Sequence, residues 1–452
     1  MTMTERDFAI DVVRRLRGEG FQALWAGGCV RDQLLGLSPK DYDVATDARP
    51  EDVQRLFRRT VAVGASFGVV EVLGPDRLKV QVATFRADVS YSDGRHPDAV
   101  VFASAREDAL RRDFTINGMF FDPLENQVVD YVGGRKDLEA RVLRAIGEPA
   151  ARFAEDKLRL LRAVRFAAHY ELSLDPATAA AIQAMADQLP VVSAERIAEE
   201  LRRLLVDPHR ARGIQLLDEL GLDRAILPEL LEMKGVPQGP PDAPTGDLWD
   251  HVLRVLDLLG PNPSFPLAFA ALLHDVGKRR TVGRTPDRYT FYNHEHVSRR
   301  MAADICRRLK LSNAERERIE WLVEKHQFLC DAPQMRKSKL KMILVHPGIH
   351  ELLALHRADA QASGRGQEHV DFCEQRLREW SADELNPPPL ITGDDLVRRG
   401  LEPGPHFKAW LDAVREAQLE GTIATPEEAI ALVFRLRTEG KKERDKDQKE
   451  GE

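Results

Sequence analysis

Apolar residues change their spacing once along this 452-residue chain, and that change bounds the fold. Before residue 135, short Val-rich runs bounded by Gly, Pro or Asp alternate with short amphipathic segments. Residues 5–19 predict a helix with Phe8, Val12, Val13 and Leu16 on one side. Phe21–Ala26 predicts a strand ending in Gly27-Gly28, and residues 41–45, 60–63, 68–73, 79–85 and 99–103 predict further strands. From about residue 150 the helical period takes over and holds. Leu158, Leu161, Val164 and Ala168 share a face, residues 175–188 and 194–206 continue the pattern, and Ser193 reads as a helix start. Such a chain is α+β: a mixed sheet with helices, followed by all-helical regions.

Punctuation divides the helical part. The segment 236–246 carries four prolines and reads as a linker, and Asn386-Pro387-Pro388-Pro389 separates a small helical C-terminal module. Residues 441–452 hold ten charges in twelve positions and predict a solvated, disordered tail. The polar run 86–98 is 13 residues long, long enough to suggest function. A hydrophobic fraction of 43% excludes wholesale disorder. No apolar run approaches the roughly 20 residues of a membrane span, and residues 1–20 are charged throughout, so no membrane partner and no secretory signal are expected. Cys29, Cys306, Cys330 and Cys373 lie far apart with no CxxC pair, which predicts a reduced, cytoplasmic chain. A net charge of −7 excludes a globally basic nucleic-acid binder but permits a local basic surface.

Three constellations carry chemistry. The first begins with Gly27-Gly28-Cys29-Val30-Arg31-Asp32, where a strand turns into a helix. Glycines there let backbone approach a phosphate, and Arg31 adds a fork suited to phosphate oxygens. Next, Lys40-Asp41-Tyr42-Asp43-Val44 reads as a strand, so Asp41 and Asp43 share a face and Tyr42 points away. Paired carboxylates repel unless a cation lies between them, and magnesium takes such oxygen ligands. Arg111-Arg112-Asp113-Phe114-Thr115-Ile116-Asn117 supplies a further carboxylate, Asp113, and the cation Arg112.

The second constellation is Glu155–Phe166, which reads as one amphipathic helix. At about 100° per residue, Asp156, Arg159, Arg162 and Arg165 follow one another in steps of roughly 60°. An acceptor-only Asp beside a donor-only Arg matches an amino group next to a ring-nitrogen acceptor. Cytosine and adenine present that pattern; uracil and guanine present the reverse. Arg162 and Arg165 would serve phosphates or brace the pair. Seven basic and three acidic residues between Arg141 and Tyr170 suit RNA phosphates.

The third is a series of ligand-type side chains, His251, His274, Asp275, His294, His326 and Asp359, each in or near a predicted helix. On neighbouring helices they would hold one or two divalent metals, or they are the remnant of such a scaffold.

In this order, Gly27-Gly28-x-x-Arg31-Asp32, Asp41-x-Asp43, the 111–117 run and Glu155-Asp156-x-x-Arg159 resemble the motifs of class II tRNA nucleotidyltransferases and bacterial poly(A) polymerases. Tyr131–Leu138 and Arg152-Phe153 fit the same pattern, and residues 247–385 resemble an HD phosphohydrolase domain. The resemblance implies a polymerase-beta-like head over 1–140, a helical neck and RNA-binding region over 141–245, an HD domain over 246–385 and a small helical module over 386–440. It implies that Asp41 and Asp43 bind Mg2+, with Asp113 a third catalytic carboxylate. Gly28, Arg31 and Arg112 would hold the triphosphate, and Asp156, Arg159, Arg162 and Arg165 would form the base pocket. His251, His274, Asp275, His294, His326 and Asp359 would hold a second divalent metal in the HD domain. The implied reaction is attack of a tRNA 3′-hydroxyl on CTP or ATP, adding C, C and A with release of pyrophosphate. Members of the family also add A alone or a poly(A) tail, and the HD domain is a further candidate for the main activity. The 86–98 loop resembles the switching loop needed for A addition, which argues against a CC-only enzyme. Gly118 and Lys157 stand where Ala, and Pro or Ala, are common in the family.

Overall fold

The structure is a computed structural model, and it describes residues 3–64, 68–88, 100–239 and 246–450. The chain forms two compact units: Met1–Lys234 with Ile305–Leu311, and Gly235–Asp304 with Ser312–Glu452.

The first unit opens with helix α1 (Glu5–Gly18), whose buried stripe is Ala9, Val12, Val13 and Leu16; Thr4 and Asp7 form its capping box. The strands are β1 (Ala23–Ala26), β2 (Asp43–Thr46), β3 (Thr60–Gly64), β4 (Val69–Leu73), β5 (Lys79–Thr84), β6 (Arg86–Asp88), β7 (Val100–Phe102), β8 (Phe120–Asp122) and β9 (Gln127–Val129). Seven of them make a mixed sheet in the order β3-β4-β5-β2-β1-β8-β9, with β2 and β5 parallel and the other pairs antiparallel. Every residue of β1 is buried, as expected of a strand near the middle of a covered sheet. Leu24, Ala26, Ala45, Phe85, Ala105, Ala109 and Phe120 form one core cluster on this sheet. The register places Ala26 opposite Asp43. That pairing brings the end of β1, and so the Gly27 turn, beside the first residue of β2.

Helix α2 (Gly28–Leu34) follows the turn, and α3 (Pro50–Leu56) and α4 (Ala105–Leu110) complete the helical cover. Strands β8 and β9 are too short to show a period and escape sequence reasoning. Strands β6 and β7 pair as a separate ribbon at the ends of the 86–98 loop; residues 89–98 lie outside the described residues.

Beyond α5 (Gly134–Glu139) the first unit is almost wholly helical. The expected single helix over 155–166 is two: α6 (Pro149–Glu155) and α7 (Leu158–His169). Asp156 breaks them apart with extended backbone (φ −149°, ψ 106°), and its side chain caps the Leu158 amide at 3.0 Å. Asp competes for backbone donors in this way, which favours caps over helix interiors. Helices α8 (Pro176–Met185) and α9 (Ala194–Leu205) match the helical period, and a 3₁₀ turn around Pro190 separates them.

The second unit is built on helices Leu248–Leu258, Phe265–Leu273, Asn313–Lys325 and Ile349–Ala362. Phe265–Leu273 is apolar all round and almost entirely buried, which makes it the central helix of this unit. The 236–246 segment is pinned at its mouth: Leu248 N–H donates to Val236 O and Gln238 N–H to Gly246 O, with residues 240–245 outside the described residues. The C-terminal module has its own cluster of Ile391, Leu396, Leu401, Val414, Ala429, Ile430 and Val433. The charged run at 441–450, expected as a disordered tail, instead continues the backbone of helix Pro426–Glu450. Lys and Glu are good helix formers, so once a helix is nucleated they extend it. All four cysteines are free.

Candidate functional site

In the first unit, Gly27, Gly28, Asp43, Arg112, Asp156 and Arg159 line a cavity of about 610 Å3, together with Arg31, Asp113, Arg162 and Arg165. Gly27 sits at φ +72°, where a side chain is disfavoured, and a Cβ added there would lie 3.0 Å from Arg112 Nη1. A Cβ on Gly28 would lie 3.5 Å from Arg31 Nη2. Gly27 therefore clears space for the Arg112 guanidinium, whereas a side chain at Gly28 would meet Arg31 only at ordinary contact distance. Gly27→Ala is expected to destabilise the protein by about 1–2 kcal/mol through its left-handed backbone, read as a lowered thermal midpoint; an unchanged midpoint would mean that the turn relaxes.

Both arginines are held. Arg112 donates from Nε and Nη2 to Asp108 (3.1 and 2.9 Å) and from Nη1 to the Asn117 carbonyl (3.2 Å). Arg31 donates to Asp32 and to Asn117 Oδ1, with its guanidinium 4.3 Å from the Tyr170 ring centroid. Asp108 is buried and receives Arg111 as well, so one carboxylate orients the whole Arg111-Arg112 pair.

Asp41 and Asp43 are both exposed and Tyr42 is buried between them, as the alternation requires, although β2 begins only at Asp43. Tyr42 packs on Trp25 at 4.7 Å between ring centroids, which anchors the pair. Although Asp43 is open to solvent on the cavity side, the protein packed around its carboxyl partly desolvates it and raises it above its ordinary value; Arg112 opposes the shift and the charge of Asp41 adds to it. A carboxylate that resists its own charge, beside a second one, is suited to a cation. Asp113 does not complete that cluster. It is buried, and its carboxylate is taken by Arg162 (2.9 and 2.7 Å), Asn117 Nδ2 (3.0 Å) and the Phe114 amide (2.8 Å). Burial raises the Asp113 carboxyl, but Arg162 and Asn117 outweigh it and hold it at about 2. Asp41, Asp43 and Asp113 form no ligand trio among the described residues. In the sequence, an Asp committed to a buried ion pair is indistinguishable from an Asp free to ligate.

The cavity joins Asp156 and Arg159 despite the helix break. Asp156 Oδ2 accepts from Arg196 at 2.7 Å. Arg159 donates to Glu155 (2.5 Å) and to the Arg152 carbonyl (2.8 Å). A carboxylate has about four lone-pair sites and a guanidinium five N–H groups, so both retain capacity for a ligand. Arg165 pairs with the buried Glu200 at 2.6 Å and lies over Phe166 at 4.3 Å, while Arg162 is bound to Asp113. Of the two tasks left open for Arg162 and Arg165, bracing is the one their contacts fill. Asp108, Asn117, Arg196 and Glu200 escaped sequence reasoning as site residues. The four-residue spacing of Arg196 and Glu200, on one face of α9, was the available signal. Gly118 also has a local reason: a methyl there would meet Val132 Cγ2 at 2.8 Å and Ile146 Cδ1 at 2.9 Å.

In the second unit the six expected ligands converge as two trios, His251-His274-Asp359 and Asp275-His294-His326, with the ligand atoms of each trio within 4.8 Å of one another. His274 and His326 cap the C-terminal ends of their helices, and Asp359 sits inside Ile349–Ala362. Nδ1 of His274, His294 and His326 each faces a backbone carbonyl three residues upstream, at 2.8, 2.7 and 2.7 Å. With the proton held there, Nε2 carries the lone pair. His294 Nε2 and His326 Nε2 then stand 3.2 Å apart, and both approach Asp275 Oδ1, at 3.0 and 3.4 Å. His251 Nε2, His274 Nε2 and Asp275 Oδ1 are buried, and although each has a polar atom of the cluster 3.0–3.2 Å away, none of the three is engaged in an aligned hydrogen bond. Such a set is costly without a cation and fits one or two divalent metals. Burial would raise the Asp275 carboxyl, yet His274 and Lys278 hold it well below its ordinary value.

Residues 23–144 match the Poly A polymerase head domain, 171–234 the probable RNA and SrmB-binding site of polymerase A, and 248–362 the HD domain. The chain is 34% identical over 434 residues to the A-adding tRNA nucleotidyltransferase of Deinococcus radiodurans, covering 91% of this chain and 95% of the relative. It is 30% identical over 431 residues to the CCA-adding enzyme of a Geobacillus species, covering 93% and 95%. Among solved structures, the Bacillus stearothermophilus CCA-adding enzyme in complex with CTP superposes with a TM-score of 0.73 at 26% identity, over 98% of this chain and 100% of that one. Nucleotidyltransferase and HD domains work with divalent metals, which agrees with the carboxylate pair and the two trios. An α+β head with an HD domain, on a chain that matches these enzymes along nearly its whole length, establishes that the protein belongs to the tRNA nucleotidyltransferase and poly(A) polymerase family.

Proposed function

We propose that the first unit adds C, C and A in turn to the 3′ end of tRNA, using CTP, ATP and Mg2+ and releasing pyrophosphate. One observation carries this reading: a single cavity holds Asp43, the arginines behind Gly27-Gly28, and the Asp156/Arg159 pair. Metal-facing carboxylate, triphosphate cations and base reader are thus within reach of one nucleotide. Asp41 and Asp43 would hold the metal, which when bound favours attack of the tRNA hydroxyl on the α-phosphorus and stabilises the leaving pyrophosphate. Arg31 and Arg112 would take the triphosphate in orientations already set by Asp32, Asp108 and Asn117. Asp156 would accept from the amino group of cytosine or adenine while Arg159 donates to the ring nitrogen. No helix among the described residues is long and apolar enough to cross a membrane, and tRNA maturation suits a cytoplasmic setting.

The test uses tRNAs ending at the discriminator base, after one C and after two Cs, each offered CTP, ATP or both. Ordered addition stopping after one A supports CCA addition. Extension of only the CC-ending tRNA would make this an A-adding enzyme, the second reading, which the full-length Deinococcus relative favours. An unbounded A ladder would mean a poly(A) polymerase.

Base reading has its own test. Asp156→Asn retains an acceptor for the Leu158 amide but adds a donor toward the base. Incorporation of U or G relative to C or A should rise about tenfold or more, from roughly 1–3 kcal/mol per mispaired polar contact. Unchanged selectivity in Asp156→Asn would remove Asp156 from the reader.

We also propose that the HD centre hydrolyses a phosphoester of the 2′,3′-cyclic phosphate or 2′-nucleotide class. Its support is the completeness of the two trios. Phosphate release should vanish in His274→Ala and survive in Asp43→Asn; release that follows Asp43 would place this activity in the head.

A further inference from the structure

The second unit holds a third cluster of ligand-type side chains that the HD centre does not use. Cys330, His356 and His369 each present one donor atom, and the three donors lie within 4.8 Å of one another. They border a separate cavity of about 340 Å3, together with Asp359 and Arg365. The donors arrive from three places in the chain. Cys330 follows helix Asn313–Lys325, His356 lies within helix Ile349–Ala362, and His369 lies within helix Glu368–Glu379.

We propose that Cys330, His356 and His369 form a thiolate-containing metal site that takes a soft divalent ion of the Zn2+ class, distinct from the two HD trios. The donor chemistry supports it. One sulfur and two imidazole nitrogens select zinc over magnesium or calcium, whereas the HD trios offer only nitrogen and oxygen. Zn–N near 2.0 Å and Zn–S near 2.3 Å put tetrahedral donors roughly 3.3–3.8 Å apart, so small side-chain rotations close this trio on an ion. The tautomer is also prepared. His356 Nε2 meets the Lys325 carbonyl at 3.2 Å, which holds the proton there and leaves Nδ1 with its lone pair. His356 is buried, His369 is half-buried and Cys330 is exposed, so a fixed ligand lies behind two that an ion reaches from solvent. The two imidazoles pack at 5.3 Å between ring centroids, without a carboxylate partner for either among the described contacts.

The site is tied to the HD centre at two points. Lys325, which holds His356, immediately precedes the ligand His326. Asp359 offers one oxygen to His251 at 3.1 Å and the other to Arg365 at 2.8 Å, and Arg365 borders the Cys330 cavity. His356 and Asp359 are one turn apart on the same helix. A metal on the thiolate trio would therefore fix the helix that carries Asp359. With three protein donors, the fourth position is left to water.

The full chain, stripped of metal, would be titrated with Co2+ alone. Only a cysteine ligand gives a thiolate-to-cobalt charge-transfer band, so the HD trios are silent in this readout. The expected result is a band that saturates as Co2+ is added, with the silent HD trios taking up their own share, is bleached by Zn2+, and is absent in Cys330→Ser and His369→Asn. No band in the wild-type chain, or a band that persists in Cys330→Ser, overturns the proposal. A second readout needs no variant. Zn2+ should slow alkylation of Cys330 by iodoacetamide at least about tenfold, since a metal-bound thiolate is a blocked nucleophile. Alkylation at full rate in the presence of Zn2+ would equally overturn it.

Discussion

Asp43→Asn should lower nucleotide incorporation by about a thousandfold or more, because it removes a charge aimed at the metal that stabilises the transferring phosphoryl group. The same change should leave the fold intact. The Asp43 carboxyl lies above its ordinary value in the folded chain, so its charge is disfavoured there. A carboxyl raised on folding costs stability once it ionises, and the neutral amide relieves that cost. Without metal, the thermal midpoint of Asp43→Asn should therefore equal or slightly exceed that of the wild type. Adding Mg2+ should raise the wild-type midpoint and leave the variant unmoved. Asp41→Asn should likewise lose incorporation, as the second carboxylate of the pair, whereas Asp113→Asn should not gain stability. Retained incorporation in Asp43→Asn would sink the proposed catalytic role; lost incorporation with a collapsed midpoint would make Asp43 structural.

The largest stability effect is expected at Asp113. Its carboxylate is the bidentate partner of Arg162 and also binds Asn117 and the Phe114 amide. Removing one member of a buried ion pair leaves the other uncompensated, a cost of about 3–5 kcal/mol. In Asp113→Ala, Arg162 would keep Glu200, at 3.9 Å, as its one ion-pair partner among the described residues, besides its position over the Phe166 ring. Denaturant unfolding at pH 7 measures the loss, and a change under about 1 kcal/mol would contradict the assignment. The sign of the pH dependence follows from the same contacts. The folded carboxyl is depressed to about 2, below its value in the unfolded chain. Its contribution is thus complete above about pH 4–5 and is lost as pH falls through 4 toward 2, on the order of 2 kcal/mol in all. Wild-type stability should fall over that window more steeply than that of Asp113→Asn. Parallel curves would show that this ion pair does not govern acid stability.

Much of the architecture was legible from spacing. Val-rich alternation located six of the nine strands β1–β9, because a half-buried strand shows its period over five or six residues. The three-residue strands β6, β8 and β9 show no period and were missed, whereas β7, equally short, was found from its Val-rich composition. The alternation of Asp41, Tyr42 and Asp43 survived even though regular pairing starts at Asp43, since side-chain direction depends on extended backbone rather than on ladder bonds. The convergence of the six residues expected as HD ligands was legible for another reason. Their residue types have few other uses in buried positions, and each fell in or beside a helix.

The break in the helix over 155–166 and the engagement of Asp113 by Arg162 were missed for one cause. Periodicity registers which residues are apolar, and it does not register where a polar side chain spends its hydrogen bonds. Asp156 spends one on the Leu158 amide and breaks the helix; Asp113 spends all of its capacity on Arg162, Asn117 and Phe114. The third cluster was invisible for a related reason. Cys330, His356 and His369 have no motif spacing, and only the packing of three separate segments brings them together. The amino-acid order alone therefore settles the α+β class, the family, and which residue types are available for phosphate, base and metal. Which carboxylates stay free and which are consumed by arginines is settled by long-range contacts, because a charge becomes a ligand or a brace according to its nearest partner in space.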